Sequence, residues 1–132
     1  MTRDDLVELV QNADIGVFTI SQELPYTVDN QPLFIKNSKK IYIDLPAITI
    51  TNAFPTLDNL SVRQETVRIT LFMSNEARVL PGYNDVIANL QNLKDDTGVK
   101  QMGYTGRNCS VTTRYQDNLL VTQIDYEFSR LL

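Results

Sequence analysis

The sequence predicts an α+β fold, a mainly antiparallel sheet carrying two helices, formed as a single domain over residues 1–132. Three observations predict it. Two separate segments, one near residue 6 and one near residue 86, place apolar residues at helical spacing. Most of the remaining chain consists of short runs rich in β-branched and aromatic residues, several of them alternating. The order is α, several β, α, ββ, without the regular βαβ alternation of a parallel sheet.

The first helix is marked by Thr2 with Asp5 three residues on, a capping box with Asp replacing the usual Glu. Leu6, Leu9, Val10 and Ala13 make its apolar face. Asp4, Asp5 and Glu8 sit in the first turns, near the positive helix end. Gly16 is near its stop.

Strands are expected at Val17–Ile20, Leu33–Ile35, Lys40–Leu45 and Ala47–Thr51, with Asn37-Ser38-Lys39 as a turn and Asn52–Leu60 as a loop. The clearest strand follows. Val62, Val67, Ile69, Leu71 and Met73 are expected on its buried side and Arg63, Arg68, Thr70 and Phe72 on the other. The Gln64-Glu65-Thr66 stretch interrupts that alternation and reads as a bulge.

Pro81-Gly82 opens the second helix, whose stripe is Tyr83, Val86, Ile87, Leu90 and Leu93 and whose stop is Gly98. A glycine-containing loop, Gly103-Tyr104-Thr105-Gly106-Arg107, leads to a closing hairpin. There Cys109, Val111, Thr113 and Tyr115 alternate, Gln116-Asp117-Asn118 turns, and Leu120, Thr122, Ile124, Tyr126 and Phe128 alternate again.

Composition narrows the chemistry. The chain has no histidine and one cysteine, Cys109. The commonest general base and the commonest metal ligand are therefore absent, along with Ser-His-Asp triads, Cys-His pairs and zinc fingers within one chain. No intrachain disulfide is possible, which fits a reducing compartment. The net charge of −4 opposes general affinity for nucleic acid, although a local basic patch remains compatible with it. The N-terminal residues are polar and acidic, and no apolar run approaches bilayer length, so neither a secretory signal nor a membrane span is expected. No catalytic residue, metal ligand or cofactor is assigned.

Candidate contact residues remain. Lys36, Lys39 and Lys40 are the densest positive cluster, readable as a solvated turn or protection of a strand edge, as a contact for a protein partner, or, least favoured, as a contact for nucleic acid. Tyr104 and Arg107 are residue types enriched at interface hot spots, on a loop that lacks the glycine spacing of a dinucleotide fingerprint. Asp95 and Asp96 lie where a continuous second helix would end, and its dipole would disfavour them there. Either that helix ends by Lys94 or the pair serves an outside purpose. Tyr26, Tyr42 and Phe54 read as core or half-buried residues and Cys109 as a small buried hydrophobe.

In order of elements the chain resembles the tail terminator, or tail-completion, proteins of long-tailed bacteriophages. The resemblance lies in a short acidic first helix, β-ribbons, the long strand from Ser61 to Phe72, a second helix, and a hairpin ending at Val121–Phe128. It is one of pattern and length and covers most of the chain. It implies a hexameric ring in the virion, assembled in the bacterial cytoplasm, which stops tail-tube growth and joins tail to head. Its partners would be copies of itself, tail-tube proteins and head-neck proteins, with DNA passing through unbound and no catalysis. Asp95 and Asp96 are then expected to line the lumen. The alternatives are another phage neck or tail-tube component, a small carboxylate-dependent enzyme, or a ligand-binding α+β domain.

Overall fold

Thr2 and Asp5 cap each other as the sequence requires, and they set the first helix running. In the computed structural model, which describes residues 1–36, 39–55, 61–76 and 82–132, α1 spans Arg3–Asn12 with both capping-box bonds formed. The strands are β1 (Thr19–Ile20), β2 (Lys40–Ile43), β3 (Ala47–Pro55), β4 (Ser61–Glu76), β5 (Thr105–Gln116) and β6 (Leu119–Leu131). Between β4 and β5 lie α2 (Tyr83–Gln91), a 3-10 turn (Asn92–Asp95) and α3 (Thr97–Gln101).

All six strands join one sheet in the order β1-β2-β4-β6-β5, with β3 also paired to β4. β2 pairs with Leu71–Ser74 and β3 with Ser61–Arg68, so the two lie end to end along one side of β4. β6 occupies the other side over Gln64–Glu76. Every pairing is antiparallel except β1 with β2. The α+β expectation therefore holds.

The helices cover one face. Val67, Ile69, Leu71 and Met73 of β4 and Ile124, Tyr126 and Phe128 of β6 are buried there, against Leu6, Leu9 and Val10 of α1 and Val86, Leu90 and Leu93 of the second helical segment. Burying a side chain of this size contributes roughly 1.5–3 kcal/mol each, which makes this face the principal source of stability. Among the described residues the opposite face is covered only at one end. Phe34, Tyr42, Phe72 and Val121 form a second cluster, in which Phe34 and Phe72 stack with ring centroids 4.3 Å apart. Tyr26 closes that cluster edge-on while staying 38% exposed.

Several elements differ from expectation. Only Thr19–Ile20 of the 17–20 run is a strand, and Leu33–Ile35 is a turn whose Phe34 is buried by aromatic packing. There the apolar residues serve burial without joining a ladder. β2 ends at Ile43, two residues earlier than expected. Of the expected turn, Asn37 and Ser38 lie outside the described residues, and Lys39 adopts φ +62°. β3 runs on to Pro55, into the expected loop; residues 56–60 lie outside the described residues, as do Pro81 and the side chain of Phe54.

No bulge occurs at Gln64–Thr66, where the ladders to β3 and β6 are both continuous. By alternation Arg63 thus shares the face of Val67, and Val62 that of Phe72, the reverse of the expectation. The irregular register lies at Asn52/Phe54 and at Gly106/Asn108. The closing hairpin forms as expected, except that Gln116 belongs to β5 and pairs with Leu119, so that Asp117 (φ +50°) and Asn118 (φ +63°) alone supply the two left-handed residues of a tight two-residue turn.

Candidate interaction surface

The antiparallel ladder leaves two long edges. Over Ala47–Thr51, β3 is hydrogen-bonded to β4 alone, and β5 to β6 alone, among the described residues. An open edge is a template for another strand, and proteins usually blunt it with charge or irregularity. β5 carries Arg107 and the Gly106/Asn108 register shift at its start and Arg114 near its end, which leaves Cys109–Thr113 between them uncharged and in regular register. β3, AITITNAFP, carries no charged residue over nine positions.

Cross-strand partners share a face. Ile48 lies opposite Val67, and Ile50 opposite Glu65, so both belong to the helix-bearing face. The helices do not reach them: Ile48 is 52% and Ile50 55% exposed. On β5 the same face carries Cys109, Val111, Thr113 and Tyr115, across from Tyr126, Ile124, Thr122 and Leu120. Cys109 and Val111 are half-buried against the core, while Tyr115 is 71% exposed.

The opposite face is polar. Arg68 pairs with Glu127 at 3.2 Å, Thr70 donates to Asp125 at 2.7 Å, and Arg114 donates to Gln123 at 3.1 Å. Gln123 in turn donates to Asp125 at 3.2 Å. Cations and anions interleave, so neither sign dominates.

Where the sequence pattern predicts a bulge, a buried ionic cluster sits instead, along the β3–β4 ribbon. Glu65 is buried; Tyr104 donates its hydroxyl to one carboxylate oxygen, and Arg130 donates to the other through Nε and Nη2 at 3.1 and 3.0 Å. The guanidinium also stacks 4.6 Å from the Tyr104 ring centroid, and the Met1 ammonium donates to the Tyr104 hydroxyl at 2.8 Å. The Tyr104 bond, reinforced by Arg130, holds the Glu65 carboxyl below its ordinary value against the opposing effect of burial. Burial and the adjacent Glu65 push Tyr104 up to about 12.

The expected contact residues are dispersed. Tyr104 is buried and faces inward, a correction to its expected place on an exposed loop. That segment is not an open loop either. β5 begins at Thr105, and Gly106 packs so closely on Lys94 that a Cβ would lie 2.3 Å from the Lys94 carbonyl oxygen. Arg107 is exposed and donates to Ser129 at 2.6 Å. Lys36 and Lys39 are exposed and Lys40 half-buried, beside the C-terminal end of β4, where the Lys39 N–H donates to Ser74.

Asp96 has a local purpose. The helical segment breaks after Asp95, and Asp96 caps α3 by accepting from the Gly98 N–H at 2.8 Å. The anticipated dipole penalty is thereby reversed, because a carboxylate at a helix start is favourable. Gly98 lies within α3 and does not stop the second helix. Asp5, Glu8 and Asp96 line one groove of about 510 Å³ between α1 and α3, whereas Asp95, at the end of the 3-10 turn, is exposed and does not line it.

Among the described residues no group of three or more His, Cys, Asp or Glu is placed to hold a metal ion, and no helix is long and apolar enough to cross a membrane. No family model matches the sequence, and no curated protein is detectably similar to it.

Proposed function

We propose that this chain is a structural subunit that assembles with copies of itself into a ring, in the manner of the phage tail terminators it resembles. The observation that carries the reading is β3. It is a nine-residue edge strand without a charge, and it presents two half-exposed isoleucines on the core-bearing face. Isolated monomers protect such edges, and an unprotected one is an aggregation hazard unless a partner covers it. The buried Glu65–Arg130–Tyr104 cluster supports the reading by fixing the ribbon to the body of the domain. A rigid element is what a repeated contact needs.

The resemblance supplies the rest: six copies, a place between tail tube and head, and DNA passing without specific binding. Asp95 and Asp96 are kept in this reading as candidates for the bore, and Lys36, Lys39, Lys40 and Arg107 as candidates for contacts with neighbouring subunits or tail proteins. The test is negative-stain imaging of the purified chain, alone and mixed with tail tubes. Rings of uniform diameter that seat on tube ends are expected. Particles no larger than a 15.0 kDa monomer at every concentration would overturn the reading.

A further inference from the structure

We propose that the open edge of β3 in one copy pairs antiparallel with the open edge of β5 in the next, extending the sheet from subunit to subunit without turning it over. The inference rests on the ring reading and names its interface. Strand direction is the first argument. β3 runs antiparallel to β4, β4 to β6 and β6 to β5. The two outer edges of one chain are therefore antiparallel to each other. A neighbour related by rotation about an axis along the strands brings its β3 beside β5 in antiparallel sense.

The match of faces is the second argument. On the helix-bearing face, β3 offers Ile48 and Ile50, and β5 offers Cys109, Val111 and Tyr115. On the other face, β3 offers Ala47, Thr49 and Thr51, and β5 offers Ser110, Thr112 and Arg114, with polar groups on both sides of the join. Joining the edges with helices on the same side seals apolar against apolar and polar against polar. Turning one copy over would set Ile48 and Ile50 against threonine and arginine.

Pairing β3 with β3 of a second copy is also antiparallel, but it ends at a two-fold dimer and leaves Tyr115 and Val111 uncovered. A β3–β5 contact is heterologous, and heterologous contacts generate rings when the rotation closes. In such a ring the helical layer and the polar sheet face lie on opposite surfaces of the wall. Asp95 and Asp96 then share the bore with α1 and α3, or else the bore belongs to Arg68, Asp125 and Glu127.

The experiment is site-directed crosslinking in the full chain, with Cys109→Ser as background. Thr49→Cys is combined in turn with Ser110→Cys, Thr112→Cys and Arg114→Cys, all on strand positions exposed or half-exposed on the polar face, so the fold is preserved. A short bismaleimide is added to the assembled material. A ladder of covalent multimers is expected with at least one pair, and none with Thr49→Cys alone. Two results overturn the inference while leaving the ring reading standing: oligomers that form but crosslink with none of the pairs, or a covalent dimer from Thr49→Cys alone. Absence of any oligomer in the Cys109→Ser parent and in the unmodified chain overturns the ring reading itself.

Discussion

Tyr104 and Glu65 are 39 residues apart in sequence, yet the tyrosine hydroxyl donates directly to the glutamate carboxylate in the interior. The bond joins the turn before β5 to the first third of β4. Arg130 completes it from β6. Tyr104→Phe leaves that carboxylate oxygen short of a donor and is expected to cost about 1–3 kcal/mol. Glu65→Ala, which strands the partly exposed Arg130, is expected to cost about 2–4 kcal/mol. Urea melts of both variants check this, and a Glu65→Ala midpoint equal to the parent's would contradict it.

The same cluster gives the stability a signed pH dependence. Glu65 titrates lower in the folded chain than its reference of 4.5. Its contribution is therefore present above that reference and is lost as pH falls through the depressed folded value. Thermal melts from about pH 6 down to about pH 3 should show a steeper fall in Tm for the parent than for Glu65→Gln. Parallel curves would show that Glu65 carries no linked proton.

Ile124 lies on β6 directly between Leu71 of β4 and Val111 of β5, and it is fully buried. Ile124→Asp buries an unpaired carboxyl and is expected to cost about 4 kcal/mol or more. Circular dichroism at rising temperature checks it. Melting within a degree or two of the parent would remove this hairpin from the core.

Lys36, Lys39 and Lys40 carry three cations within five residues, near the end of β4. Their triple replacement by Glu is expected to preserve the fold, since no apolar packing of the main core depends on them. Assembly should weaken, most at low salt, where surface charges are least screened. Unchanged assembly at low ionic strength would leave these lysines as a solvated turn.

Much of this fold was legible where local chemistry and burial agree. The Thr2–Asp5 capping box, the Tyr83–Val86–Leu90 stripe and the Asp117-Asn118 turn each specify their structure within a few residues. Legibility failed where tertiary contacts decide. Glu65 broke a strand pattern on paper because its partners, Tyr104 and Arg130, are distant in sequence. Phe34 sits in an apolar run that resembles a strand, but its stacking on Phe72 favours a turn. Asp96 looked misplaced because the break after Asp95 is not marked by proline or glycine. The interaction surface was least legible: Ile48 and Ile50 look like core residues until the extent of the helical layer is known, and Tyr104, which suits a contact by type, is turned inward.

The central claim is that the uncharged β3 edge joins one copy to another. Sedimentation velocity of the Ile48→Lys, Ile50→Lys double variant beside the parent, over a range of concentrations, tests it most directly. Both side chains are about half exposed, so the variant should keep the parent's circular dichroism spectrum. The parent is expected to sediment as a closed oligomer and the variant to stay at monomer mass. A variant that assembles as the parent does would contradict it.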